Sequence, residues 1–301
     1  MTGTEVGSPW TFQVHPVASG VVGGLVVLYA LATRRGRWAA TLRQRVWFGS
    51  GLFVLLACLT WPLADLAARW SLLALVVQRL LLVVAVPALL ALGLPLALVA
   101  AATRPAAVDA TVRAVTRPPV AVAFVTVSVV ATLTTGAVDA QVSSPLWRGL
   151  FDGMAVLTGF VLWAPHIAYL PAHRRPAPAG RAAYLVVQSI VPAFLSLVWI
   201  FARHPLYPGL VQAYRALGIS PLLDQQLGGI VAKLGMIATL WSVAYVTLAR
   251  GRRHPEVADT TRMTWADVER ELQRSERRTR RPPGLSRPAD GYGRSEGAGG
   301  G

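Results

Sequence analysis

The chain has 301 residues, a length that ordinarily serves one or two soluble domains. Its composition excludes that use. It is 54% hydrophobic and 14% charged, against about 25% charged residues in a typical soluble domain. Too little polar surface remains to clothe a water-soluble globule, so the sequence reads as an integral membrane protein. The net charge of +15 suits nucleic acid, or else cytoplasmic loops facing anionic lipid. The placement of the charges decides between these.

A membrane-spanning helix needs about 20 mostly apolar residues. Seven stretches qualify: His15–Thr33, Val46–Leu66, Ser71–Leu94, Pro119–Val138, Leu146–Tyr169, Ala182–Phe201 and Gln226–Ala249. The first has no basic residue ahead of it, which argues against a cleavable signal peptide. The segments between them alternate in charge. Arg34–Arg45 carries five arginines, the third loop Arg104, Arg113 and Arg117, and the fifth Arg174, Arg175 and Arg181. Arg250, Arg252 and Arg253 follow the last stretch, and the intervening segments are poorer in basic residues. The positive-inside rule then places the N-terminus outside and the C-terminus in the cytoplasm. Basic residues sorted by loop parity, with no single basic patch, argue against a nucleic-acid partner.

The expected fold is an all-α, polytopic bundle of seven transmembrane helices. Residues 1–14 form an outer N-terminal segment and residues 15–253 the transmembrane domain. Residues 254–281 form a cytoplasmic, basic and amphipathic tail, and residues 282–301 a disordered C-terminus. In the tail, Thr264 and Asp267 resemble a capping box, with Trp265, Val268 and Leu272 on one helical face. That face suits the surface of the membrane, and membrane lipids are the expected surroundings.

Ionisable groups inside a bilayer are costly and are functional candidates by default. Four matter here: Arg79, Arg148, Asp152 and Lys233, the only lysine. Arg79, Asp152 and Lys233 lie six to eight residues from the outer ends of their stretches. At about 1.5 Å per residue, all three fall roughly 9–12 Å deep. Arg148 and Asp152 stand four apart and share a face. Three readings are open. These residues form a polar site open to the outside, an Arg79–Asp152–Lys233 ion network that locks three helices, or long stems that snorkel outward. Their excess positive charge would accept an anion, a lipid phosphate or a partner carboxylate.

No pair among His15, His166, His173, His204 and His254 has the spacing of helical metal ligands. The lone Cys58 excludes an internal disulfide and a Cys-x-x-Cys site, and reads as a small apolar packer. No phosphate loop, catalytic triad or carboxylate pair appears. The sequence therefore predicts no enzyme, no metal site and no cofactor.

Two motifs carry a resemblance. The first runs from Gln78-Arg79-Leu80-Leu81 to Pro87-Ala88-Leu89-Leu90-Ala91-Leu92-Gly93-Leu94-Pro95. The second is Tyr207-Pro208 followed by Asp224-Gln225-Gln226-Leu227-Gly228-Gly229. Together, with the number of apolar stretches, they resemble the CtaG-type cytochrome c oxidase assembly factors, the Bacillus-type seven-span family, over about residues 10–250. The resemblance implies a role in maturing a haem-copper oxidase at the outer face of the bacterial inner membrane. A haem-copper oxidase subunit or a copper chaperone would be the partner. Copper handling is implied by the resemblance alone. The sequence looks like a divergent member that lacks the family's histidines: Leu75 and Arg79 stand where a His-x-x-Gln-His stretch is typical. Ser144, Arg148 and Asp152 occupy the places of histidines at the start of the fifth stretch. Arginine donates hydrogen bonds and does not ligate copper.

The motif residues also have plain structural readings. Pro87, Gly93 and Pro95 would kink or end the third helix. Asp224 would cap the seventh, and Gly228 and Gly229 would admit another helix closely. Two other functions compete with assembly. A small-solute or anion transporter would need a through-path or paired broken helices. A retinal-binding protein would use Lys233, which lies nearer the outer end than the middle.

Overall fold

The computed structural model describes residues 10–34, 36–166, 177–207, 210 and 218–253, with side chains at all but Arg37 and Arg253. These residues belong to one unit, Met1–Arg253. The expectations for residues 254–281 and 282–301, and for Pro208 and His173, lie outside the described residues.

Every described regular element is helical. The helices are α1 Pro16–Thr33, α2 Leu42–Leu59, α3 Leu63–Arg69, α4 Leu72–Leu80 and α5 Val86–Gly93. There follow α6 Leu96–Ala102, α7 Ala106–Val115, α8 Pro118–Thr132, α9 Thr135–Ser143, α10 Pro145–Trp163 and α11 Pro178–Ile200. The last described helix is Pro221–Arg253, here α12. A π-turn, Leu81–Ala85, joins α4 to α5 into one long rod.

Local chemistry sets these limits. Thr41 and Gln44 form a reciprocal capping box at the start of α2. Ser220 Oγ accepts from Leu223 N, and Pro221 opens α12 with the φ a helix requires. Thus α12 begins five residues before the predicted Gln226. The second and fourth predicted stretches are each divided. Thr60 is extended and Pro62 has no N–H to continue α2, so the chain restarts as α3. After Thr132, the Thr134 hydroxyl accepts from Ala137 N and caps a separate α9. The third stretch stops at Gly93. Leu94 is extended there, and Pro95 starts α6.

Five helical rods are long and apolar enough to cross a membrane: α1, α2, α4 through α5, α11 and α12. A sixth is counted if α7 and α8, bent by 81° at their junction, form one span. α10 starts one residue before the fifth predicted stretch, ends at Trp163 short of its predicted end, and carries both Arg148 and Asp152. The exterior is apolar: Val17, Phe53, Leu157, Phe194 and Tyr245 are all more than half exposed. Surfaces of this kind are rare on soluble monomers and ordinary against lipid. The chain is a helical membrane protein.

The core has two parts. One centres on Cys58, Leu82, Leu162 and Leu185, where α2, the π-turn, α10 and α11 converge. The other centres on Leu72, Val138, Trp199 and Tyr207. The polar groups that follow lie beside this second part, along α4.

Candidate functional site

Arg79 projects from the end of α4 and is 6% exposed. Its Nη1 donates to Asp152 Oδ1 of α10 at 2.7 Å. Its Nη2 donates to Gln141 Oε1 of α9. Gln141 Nε2 in turn donates to the carbonyls of Thr132 (3.2 Å) and Ala137 (3.0 Å). The guanidinium therefore joins α4, α10 and the break between α8 and α9. Arg148 Nη2 donates to the Gln141 carbonyl at 3.3 Å, so both arginines meet at one residue. In a low-dielectric interior, a buried charge persists only with a counter-charge and hydrogen bonds. Asp152 and Gln141 supply both.

The fold joins Arg79 directly to Asp152, two of the three residues read as sharing one depth, and Arg148 reaches the pair only through Gln141. Arg79 does not snorkel. Lys233 is half-buried on α12 and makes no ion pair or hydrogen bond among the described residues, so it stands apart from the Arg79 network. Counting residues along a helix could not place it, because position along the axis leaves rotation about the axis open. Gln141 takes the place assigned to Lys233. It was missed because it is uncharged and lies beyond the predicted fourth stretch. The pairing of Gln with a buried Arg has no marker in sequence spacing.

Asp224 is 2% exposed and is the acidic residue in the first turn of α12, where it suits that helix's dipole. α12 has already begun at Pro221, and Asp224 points across to α4. Its Oδ1 accepts from Ser71 Oγ at 2.6 Å. Its Oδ2 accepts from Leu72 N at 2.7 Å and Leu73 N at 3.3 Å. These are the orphan donors of the first turn of α4, where a carboxylate also meets the positive end of the helix dipole.

The neighbouring motif residues each hold a different piece of chain. Gln225 Oε1 accepts from Leu206 N at 2.8 Å, and Gln226 Nε2 donates to Ala202 O at 3.4 Å. A Cβ on Gly228 would stand 3.5 Å from the Leu73 backbone; one on Gly229 would stand 2.8 Å from Ser196 O. Here α12 approaches α4 and α11 almost backbone to backbone. Tyr207 OH donates to Leu133 O at 2.7 Å and accepts from Trp199 Nε1 at 3.0 Å. Burial raises the Tyr207 phenol above its ordinary pKa.

In the Pro87 motif, Gln78 Nε2 donates to Cys58 O at 2.7 Å and ties α4 to α2. Pro87 follows the π-turn and Trp163 Nε1 donates to Val84 O within that turn at 2.9 Å. Gly93 faces Phe48 so closely that a Cβ would come within 2.5 Å of its backbone. Beside Arg79 lies an apolar cavity of about 50 Å³, lined by Val83, Leu133, Pro192, Trp199 and Met236 among others.

At the same end of the bundle, His15 Nε2 lies 3.0 Å from Asp65 Oδ2. His204 is exposed and Cys58 fully buried. Among the described residues, no group of three or more His, Cys, Asp or Glu is placed to hold a metal ion. The sequence model of one family, the cytochrome c oxidase caa3 assembly factor, matches residues 27–253. No curated protein and no solved structure matches the chain.

Proposed function

Because this chain belongs to the cytochrome c oxidase caa3 assembly factor family, we propose that it is a non-enzymatic assembly factor of the bacterial inner membrane. It crosses the membrane seven times, with the N-terminus outside and the C-terminus in the cytoplasm. The alternating loop charges support that orientation. The observation that carries the role is the family match across nearly all of the described helices. The proposed action is to hold an oxidase subunit, or a copper chaperone serving it, at the outer end of the bundle. The buried bonds of Arg79 and Asp224 fit this as a brace, since both fix α4 and so the surface around it.

The local donors do not suit copper. Arg79 and Arg148 are donors only, and Asp152 is engaged by Arg79 at 2.7 Å. The Cys58 thiol is enclosed in the apolar core. No step through copper is assigned to these residues. Neither the transporter nor the retinal reading gains support from the comparisons.

Deleting the gene is expected to lower assembled oxidase, read as loss of its haem absorbance and copper content in membranes. Restoring the full chain should recover both. A deletion strain with normal oxidase haem and copper would overturn the proposal.

A further inference from the structure

The guanidinium of Arg79 has one nitrogen left over. Nη1 donates to Asp152 and Nη2 to Gln141. Nε is enclosed and has no hydrogen-bond partner among the described residues. Arg79 also forms one wall of the apolar cavity of about 50 Å³. That cavity lies where α4, α8, α11 and α12 meet. Val76 comes from α4, Val129 from α8, Pro192 and Trp199 from α11, and Met236 from α12. Among the described lining residues, the one other side-chain donor is Trp199 Nε1, which is already bonded to Tyr207 OH. A buried N–H beside an apolar space is costly unless an acceptor enters that space.

Charge, size and access define the acceptor. Asp152 already neutralises Arg79, and no second charged residue lines the cavity among the described residues. An anion there would lack a counter-charge, so the acceptor is neutral. A water needs roughly 10–15 Å³ of such space and about two to four polar partners. The space suffices for water, but a single N–H does not hold one. An apolar body with one acceptor oxygen matches both the walls and the donor. On the cavity wall, Leu80, Val129, Leu133, Leu195 and Ala232 are only half-buried. Next in sequence to wall residues, Val130, Phe194 and Val198 belong to the exposed apolar exterior. The way in is therefore from the bilayer.

We infer that the cavity binds the carbonyl end of a neutral, lipid-soluble molecule, with Arg79 Nε donating to its oxygen. A long-chain ketone, aldehyde or ester has this chemistry. A space of about 50 Å³ takes the carbonyl and a few carbons, and the remaining chain lies among the lipid tails. The site does not depend on the assembly role, since binding is measured on the isolated protein without an oxidase.

The test uses the full chain in nanodiscs of ether-linked lipid, which has no ester carbonyl to mask or occupy the site. Methyl nonyl ketone is titrated in and read by infrared difference spectroscopy. One ketone should bind per chain, and its carbonyl band should move to lower frequency as Nε donates to it. Undecane, of the same chain length but without the oxygen, should compete at least about tenfold more weakly, the scale of one hydrogen bond to a charged donor. Undecanoate, which adds a negative charge, should compete no better than the ketone. Ala232→Leu fills the cavity from its half-buried rim and leaves the partners of Arg79 in place, so it should abolish the shifted band. Val129→Phe fills it from α8 and serves if Ala232→Leu misfolds; the undecane comparison needs neither. A band that does not shift or saturate, undecane competing equally with the ketone, undecanoate competing more strongly, or the shifted band retained in either folded variant would each overturn the site.

Discussion

Two buried carboxylates hold the same short helix from opposite ends. Asp224 grips the first turn of α4 through a hydroxyl and two backbone amides. Asp152 grips the far end through the Arg79 guanidinium. The first site involves one charge and neutral donors, already aligned by the helix. The second involves two opposite charges, each of which makes the other tolerable. Similar burial, 2% against 8% exposure, therefore has different consequences when a partner is lost. Losing Asp224 strands backbone donors, whereas losing Asp152 strands a full charge.

The largest effect should come from breaking the charged end. Asp152→Asn leaves the Arg79 guanidinium buried without a counter-charge, at a cost of about 3–5 kcal/mol. Thermal unfolding of the purified protein should show it as a large drop in Tm. Replacing both partners, Arg79→Met with Asp152→Leu, should recover most of the loss. A double variant no better than the single one would mean that the pair does more than neutralise itself.

The neutral end should cost less. Asp224→Ala removes the acceptor for three donors and should destabilise by about 2–3 kcal/mol. Asp224→Asn keeps one acceptor oxygen and should fall between Ala and wild type. If Asn behaves like Ala in the same assay, the charge, and not the acceptor geometry, governs this end as well.

The smallest effect is expected at the third intramembrane charge. Lys233→Met should change stability by no more than about 0.5 kcal/mol, as at a position without specific partners. A loss of more than about 2 kcal/mol would return Lys233 to the network and dissolve the contrast between the two ends.

The sequence made some of this legible. Charges are so rare in apolar stretches that Arg79 and Asp152 announced themselves, and counting residues put them at one depth. The helix end at Gly93 and Pro95 follows from local backbone chemistry, whereas the break at Pro62 lay unread inside the second apolar stretch. What remained hidden depended on direction in space. Residue counting groups Lys233 with Arg79 and Asp152 but carries no information on azimuth. Asp224 looks like a cap for the helix that follows it, and only the packed bundle shows that it caps α4. Gln141 carries no charge to mark it. Its role arises from the break at Leu133–Thr134, which the continuous apolar stretch concealed. The Thr-Thr-Gly run at residues 134–136 was the local signal for that break.

The π-turn at Leu81–Ala85 acts as a phase shifter. One extra residue in a helical turn rotates everything beyond it by about 100° relative to an unbroken α-helix. The α4 half can thus aim Arg79 at Asp152 while the α5 half aims Gly93 at Phe48. A regular rod could satisfy one of these alignments at the expense of the other. The spacing between Arg79 and Gly93 is therefore as much a constraint as their identities. Removing one residue between them would spoil one alignment without changing either side chain.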